Sequence, residues 1–301
     1  MTIADSIEVT VIGMGALGRN LSRALFDNGF RIKSIYSRDT NKAATIAKEV
    51  GANFDGDLPI HKEEIGSIVF ICVSDDAIEK IADQIASKGW ILKNTVFAHC
   101  SGARPASALG VLKKKKAFIG SLHPLQTFTE EIDSRRFNNI TVSVQGEDEA
   151  IPVLMDIARQ LGSQPIEITE RDKVMLHIAA VFTCNYLVTL NDVAASLLQD
   201  IDVEVNQESK LNMLLPLMKE TLENIRKQGP EASLSGPLKR GDVKTIQTHM
   251  DALDLFPDIQ KLYSHLGDYT IRKLYKKHYV SEDVYGDIHK MFWQQLKDLD
   301  G

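Results

Sequence analysis

Residues 9–18 read Val9, Thr10, Val11, Ile12, Gly13, Met14, Gly15, Ala16, Leu17, Gly18. An apolar run leads straight into glycines spaced G-x-G-x-x-G, and Leu17, Leu21, Ala24 and Leu25 then recur on one helical face. Strand, tight turn and helix in that order predict a dinucleotide cradle. Gly13 permits the turn, Gly15 lets backbone approach a pyrophosphate, and Gly18 lets helix and strand pack closely. The free N–H groups at the helix start face the anion. Gly13, Met14, Gly15, Ala16, Leu17 and Gly18 are therefore the first cofactor-binding candidates.

Outward from this motif the chain alternates. Residues 31–36 read as a second strand, 40–50 as a helix, and 67–73 as a continuous apolar strand buried on both faces. A helical pattern over 76–85 follows, then strands at 95–98 and 117–120. These end at His99 and before His123 respectively. Strand 141–144, a helix over 148–161 and an edge strand at 165–168 complete the series. The expected class is α/β: a Rossmann-type doubly wound, mostly parallel sheet followed by an all-α C-terminal domain. The boundary is expected near residue 168, giving an NADP-binding domain over 1–168 and a helical substrate and dimerisation domain over 169–301. The latter should hold a long apolar helix from His177 to Val193, a helix over 211–225 kinked at Pro216, a loop from Gly229 to Gly241, and three more helices.

A length of 301 residues accommodates two domains, and 44% apolar with 25% charged residues is ordinary for a globular protein. The net charge of −6 argues against general nucleic-acid binding. No uninterrupted apolar run reaches the roughly 18 residues that span a bilayer, and residues 1–6 lack the features of a signal peptide, so no membrane role is expected. Cys72, Cys100 and Cys184 form no C-x-x-C pair. They read as reduced thiols of a cytoplasmic protein without a metal site.

Preference between the two nicotinamide dinucleotides is set at the end of the second strand. Ser37 stands where an NAD enzyme usually has its carboxylate, and Arg38 can pair a 2′-phosphate and stack on adenine, which favours NADP. Asp39 remains able to serve a ribose. Residues just past the strand ends come next: Val73, Ser74 and Asp76 near ribose or pyrophosphate, Ser101 and Gly102 towards the nicotinamide. His123, followed by the stiffening Pro124, is the sharper candidate for proton transfer, because imidazole titrates near neutral pH. His177, with Asn185 two turns on, is a second; His99 reads as structural. In the stretch 235–242, Lys239 and Arg240 offer cations to an anionic substrate, and Asp242 suits a helix cap.

Residues 11–18, 99–102, 123–128, 177–182 with Asn185 and Tyr186, and 235–242 together resemble a family of predicted NADP-dependent oxidoreductases. Its members join a Rossmann domain to a helical domain of unassigned function. More distantly, the layout is similar to pyrroline-5-carboxylate reductase, ketopantoate reductase, prephenate dehydrogenase and the 6-phosphogluconate and 3-hydroxyacid dehydrogenases. That resemblance implies a cofactor in the first domain, substrate in the cleft and a homodimer formed through the helices. The hydroxyacid dehydrogenases carry a Lys and an Asn one turn apart on the first long helix. Matching Lys173 to that Lys puts His177 at the Asn position, and matching His177 puts Val181 there, so neither alignment reproduces the pair. The expected function is hydride transfer between NADP and a small, anionic carbonyl, hydroxy or imino compound. A dinucleotide sensor without turnover is the alternative.

Overall fold

A computed structural model describes residues 7–199 and 207–298; the reading of residues 1–6 falls outside them. The chain divides into two compact units, Met1–Leu187 and Val188–Gly301.

The first unit is built on eight strands: β1 (Glu8–Ile12), β2 (Arg31–Tyr36), β3 (Asn53–Asp55), β4 (Ile68–Ile71), β5 (Val96–His99), β6 (Phe118–Pro124), β7 (Thr141–Gly146) and β8 (Gln164–Glu167). They lie in the order β3-β2-β1-β4-β5-β6-β7-β8. All neighbouring pairs are parallel except β6 with β7. The apolar runs explain the centre of the sheet, since every residue of β4 and β5 is buried. Helices α1 (Ala16–Asp27), α2 (Thr40–Val50) and α5 (Ala150–Gln160) share a core with one set of strand residues, including Val9, Val11 and Phe70. Helices α3 (Asp75–Ser87) and α4 (Gly110–Lys113) share a core with the alternate set, including Val69, Ile71 and Phe97. Each fully buried Phe or Ile in these layers contributes about 2–3 kcal/mol. The order in which strands are added reverses between β1 and β4, and the carboxyl ends of those two parallel strands open the crevice where ligands bind in such sheets.

The strand containing His123 is longer than its apolar pattern suggests. β6 continues through Pro124 because its second half pairs antiparallel with β7, His123 opposite Ser143. His123 therefore stands on a strand, and not in the loop after one. β3 is a three-residue, exposed edge strand with no apolar alternation to reveal it.

Beyond β8, α6 (Glu170–Ala180), a π turn (Val181–Asn185) and α7 (Tyr186–Gln199) form one continuous helix. Its best 18-residue window has a mean hydropathy of 1.5 and no buried residue, so by length and composition it is long and apolar enough to cross a membrane. This corrects the expectation from uninterrupted runs: His177, Thr183 and Asn185 break the run without lowering its mean enough. Half of this helix counts with the sheet, which carries the first unit 19 residues past position 168.

The second unit holds α8 (Gln207–Ser233), α9 (Pro237–Arg240), α10 (Val243–Ala252), α11 (Pro257–Lys276) and α12 (Glu282–Asp298). α8 is interrupted at Gly229, with φ 79°, and Pro216 lies inside the helix, as expected. The expected loop over 229–241 is also largely helical, because Pro230 and Pro237 each suit a helical first turn and Gly241, with φ 65°, ends α9. Ile246, Met250, Ile271, Leu274, Ile288 and Phe292 form the core of this unit.

Candidate active site

Each glycine of the motif has a distinct physical task. Gly13 has φ 98°, its amide donates to Tyr36 O at 2.7 Å, and a Cβ there would stand 2.5 Å from Cys72 O. A Cβ on Gly18 would stand 1.9 Å from Gly13 O. Gly15, the N-cap of α1, has no atom within 4 Å of such a Cβ. Two glycines thus allow turn and helix to pack, and the third leaves open space in front of the free N–H groups of the first turn of α1.

That space belongs to two cavities that meet at Gly15, Cys72 and Val73. The larger, about 1000 Å³, is lined by the glycine turn, by Ser37, Arg38 and Lys42 at one end, and by Ser74, Asp76 and Lys80 along α3. Asp39 also borders it, but its carboxylate caps α2 by accepting from the Lys42 amide at 3.1 Å. The cations Arg38 and Lys42 therefore stand where a 2′-phosphate would lie, while the nearby acid is engaged. The smaller cavity, about 340 Å³, is lined by Ala16, Leu17, Cys100, Ser101, Gly102 and His123 among others. Open glycine turn, helix N-terminus and cation pair together fit a phosphorylated dinucleotide. Of the sequence candidates for cofactor contact, only Gly18 stays out of both cavities, as its packing task requires.

A helix-on-strand match builds the far wall. Lys173 and His177 lie four residues apart on α6, about 6 Å along its axis, and Ser121 and His123 lie two apart on β6, about 6.6 Å. The two rows face each other. Lys173 Nζ donates to Ser121 Oγ at 2.6 Å, and the His177 and His123 rings meet edge to face, centroids 5.9 Å apart. Gly102 fits between them because a Cβ there would lie 2.5 Å from His177 Nδ1 and 2.7 Å from His123 Cε1. His177 Nδ1 is buried and has no hydrogen-bond partner. Lys173 is 1% exposed and Ser121 fully buried.

The electrostatics of this wall are unusual. Burial pushes the Lys173 ammonium down to about 8, with Cys100 and Asp75 opposing the shift. Burial, then the charges of Lys173 and His177, push His123 down to about 4. His99 falls to about 4 as well, chiefly through burial; its Nε2 lies 2.9 Å from Pro105 O, and its Nδ1 accepts from the Ser101 amide at 3.2 Å. His123 is therefore a neutral imidazole at pH 7, so the expectation of a group titrating near neutrality fails for it: desolvation disfavours the imidazolium.

These shifts predict acid lability. Both histidines have folded values below the usual 6.5. The unfolded chain then binds more protons between about pH 6.5 and 4, and stability present above that window is lost as pH falls through it. The loss is about 3 kcal/mol for each group. Urea unfolding at pH 7, 5.5 and 4.5 should show it, and His123→Phe should flatten part of the decline. An unchanged decline in that variant would refute the share assigned to His123.

The other candidates fall in different places. Ser101 Oγ accepts from the Ala103 and Arg104 amides at 3.2 and 2.9 Å, which fixes the turn after β5 and leaves its hydroxyl hydrogen for donation. Asn185 is exposed and lies in the π turn, whose wider register breaks the α-helical count that set it on the face of His177. Lys239 and Arg240 belong to α9 in the second unit, where Lys239 Nζ sits 5.5 Å over the Tyr279 ring. Asp242 caps α10 by accepting from the Thr245 amide at 3.1 Å. Lys173 and Lys42 are the residues that sequence reasoning did not place in the site. The i, i+4 spacing of Lys173 to His177 was the available signal, but a lysine at a helix start reads as solvated.

Comparisons with known proteins agree with an NADP-binding fold. Residues 8–93 match the family model described as NADP oxidoreductase, coenzyme F420-dependent, and residues 140–270 match a domain of unknown function, DUF2520. No protein of curated function matches the sequence significantly. A Bacteroides fragilis protein assigned as an NADP oxidoreductase shares 26% identity at a TM-score of 0.74, over 89% of this chain and 99% of that one. A pyrroline-5-carboxylate reductase from Coxiella burnetii shares the fold at 12% identity and a TM-score of 0.54, over 92% and 99%. An imine reductase from Myxococcus stipitatus, solved with NADP+, shares it at 14% and 0.55, over 90% and 94%.

Proposed function

We propose that this chain, which joins an NADP-oxidoreductase-type domain to a DUF2520 domain, is an NADP-dependent oxidoreductase acting on a small carbonyl, hydroxy or imino compound. The observation that carries the reading is the pair of joined cavities, one ending at Ser37, Arg38 and Lys42 and the other at His123. When bound, the dinucleotide supplies or accepts the hydride. The first turn of α1 holds the pyrophosphate, and Arg38 with Lys42 pairs the 2′-phosphate. His123, neutral at rest, donates an N–H hydrogen bond to a carbonyl or imine in reduction and accepts the proton of a hydroxyl or amine in oxidation. Ser101 orients the same group through its hydroxyl.

Lys173 does not line either cavity and acts through its neighbours as a positioning residue. It anchors Ser121, and its charge adds to the burial that holds His123 neutral. His177 fixes the His123 ring from the side. A homodimer and a cytoplasmic location accompany the reading. The exposed apolar side chains of the helix Glu170–Gln199, such as Phe182 at 65% and Val188 at 67%, support the first. The three unbonded cysteines support the second. A sensor without turnover would leave His123 at the end of the smaller cavity without a task.

Fluorescence titration tests the cofactor half directly. Arg38→Ala and Lys42→Ala should each weaken NADPH binding about 10- to 100-fold, the worth of one charge-assisted hydrogen bond, and leave NADH binding unchanged. A carbonyl and imine screen following NADPH absorbance then tests turnover. Tighter binding of NADH than NADPH by the unmodified protein would overturn the choice of cofactor.

A further inference from the structure

Cys72 and Cys100 occupy the first positions past β4 and β5. Those strands are parallel neighbours with Ile71 opposite His99, so the two cysteines are opposed in the next row. Their Sγ atoms are 3.6 Å apart. Both are nearly buried, at 9% and 6% exposure, yet both residues border the smaller cavity. Neighbouring strands hold their Cα atoms about 4.8 Å apart. This falls inside the range of about 4.4–6.8 Å that a disulfide bridges, so side-chain rotation of about 1.5 Å closes the gap.

We propose that Cys72 and Cys100 form a dithiol oxidation site for small hydroperoxides at the mouth of the cleft, closing to a disulfide.

The surroundings assign the two sulfurs different parts. The hydrogen bond to Cys100 and then burial hold the Cys72 thiol well above its usual range, so Cys72 enters the reaction as a thiol. Cys100 lies close enough to Lys173 for a thiolate there to attract the ammonium. An electropositive neighbour is the setting of a reactive thiolate. The Cys100 thiolate attacks one peroxide oxygen; the O–O bond breaks, and the departing oxygen takes a proton to leave as an alcohol or as water. Cys100 is then a sulfenic acid. The Cys72 sulfur attacks the Cys100 sulfur, the S–O bond breaks, and the departing hydroxide takes the Cys72 proton as water. Two thiols are oxidised by two electrons and one hydroperoxide is reduced.

The site is also coupled to the glycine turn. The Cys72 carbonyl oxygen packs where a Gly13 side chain would begin, and Cys72 Cβ lies 3.2 Å from the corresponding position on Gly18.

The test treats the full-length protein with hydrogen peroxide, alkylates the remaining thiols and maps the peptides by mass spectrometry. The expected product links the Cys72 and Cys100 peptides with loss of two hydrogens, while Cys184 remains alkylated as an internal control. Cys72→Ser should strand Cys100 as a sulfenic acid that dimedone traps, and Cys100→Ser should leave Cys72 unreacted. Full alkylation of both residues after peroxide, or oxidation of either to sulfinic acid without a linked peptide, would overturn the proposal. Repeating the reaction with saturating NADP+ separates it from the reading of the cleft. Slower linkage supports a dinucleotide lying over the sulfurs. Linkage at an unchanged rate keeps the dithiol site and counts against that reading.

Discussion

Replacing Lys173 by Met is expected to stabilise the protein at pH 7 while moving the acidic limb of its pH–rate profile upward. The ammonium is 1% exposed, and its value falls from 10.5 to about 8 because burial disfavours the charge. A shift of that size means that the folded state carries about 3 kcal/mol of penalty at neutral pH. The sign follows from proton counts. Between about pH 8 and 10.5 the unfolded chain binds the proton and the folded chain does not, so stability rises with pH through that window; below pH 8 the penalty is present in full. A Met of similar length removes it but leaves the buried Ser121 hydroxyl without its 2.6 Å partner, which costs about 1–2 kcal/mol. The net expectation is a gain of about 1–2 kcal/mol in urea unfolding at pH 7 that disappears by about pH 10.5. With the lysine charge gone, His123 should titrate higher, so the acidic limb of the pH–rate profile should move up from about 4, while burial still keeps the imidazole neutral at pH 7. Destabilisation at pH 7 with an unmoved pH profile would show Lys173 to be a packing residue only. Stability lost to keep a charge beside a cleft is the pattern expected of a functional site.

The fold was legible where the sequence has a period or a conformational demand. The apolar runs of β1, β4 and β5 have no polar alternation because both faces of the sheet are covered, and the glycine spacing gave the turn and the crevice with it. The errors share one physical origin, since each concerned a segment whose state depends on a partner distant in sequence. β6 extends to Pro124 only because β7 runs back along it. The stretch at 229–241 contains glycine and proline in the proportions of a loop, yet its prolines stand at helix starts.

The candidate site was legible by the same rule. Residues that follow a strand directly, such as Ser37, Arg38, Ser101 and Gly102, were found because chain order alone puts them at the carboxyl edge. Lys173 was not, since its burial is created by the match of α6 to β6, and nothing in the local sequence distinguishes a lysine facing Ser121 from one facing water. The neutral state of His123 was hidden for the same reason.

Gly15→Ala and Gly18→Ala are expected to separate binding from folding within three residues of chain. The Cβ of an alanine at 18 would lie 1.9 Å from the Gly13 carbonyl oxygen, a backbone atom that no side-chain rotation can move. To accept it, α1 must shift off β1 and lose close packing at Leu21, Ala24 and Leu25, all fully buried. The expected cost is roughly 3–5 kcal/mol, in the range of severe core damage, which lowers the thermal midpoint strongly or leaves the variant unfolded. At position 15 the backbone is extended, with φ −68° and ψ −175°, and the added methyl meets nothing within 4 Å. Stability should stay within about 0.5 kcal/mol of the parent or rise slightly, since alanine restricts the unfolded chain. The methyl nevertheless occupies the space in front of the helix N-terminus, where the pyrophosphate must approach the N–H groups. NADPH binding should weaken about 10- to 100-fold, a loss of about 1.4–2.8 kcal/mol. Thermal unfolding and fluorescence titration of both variants give the two readouts. Unweakened NADPH binding by a fully folded Gly15→Ala protein would mean that the dinucleotide does not cross the N-terminus of α1, and the assignment of the crevice would fall with it.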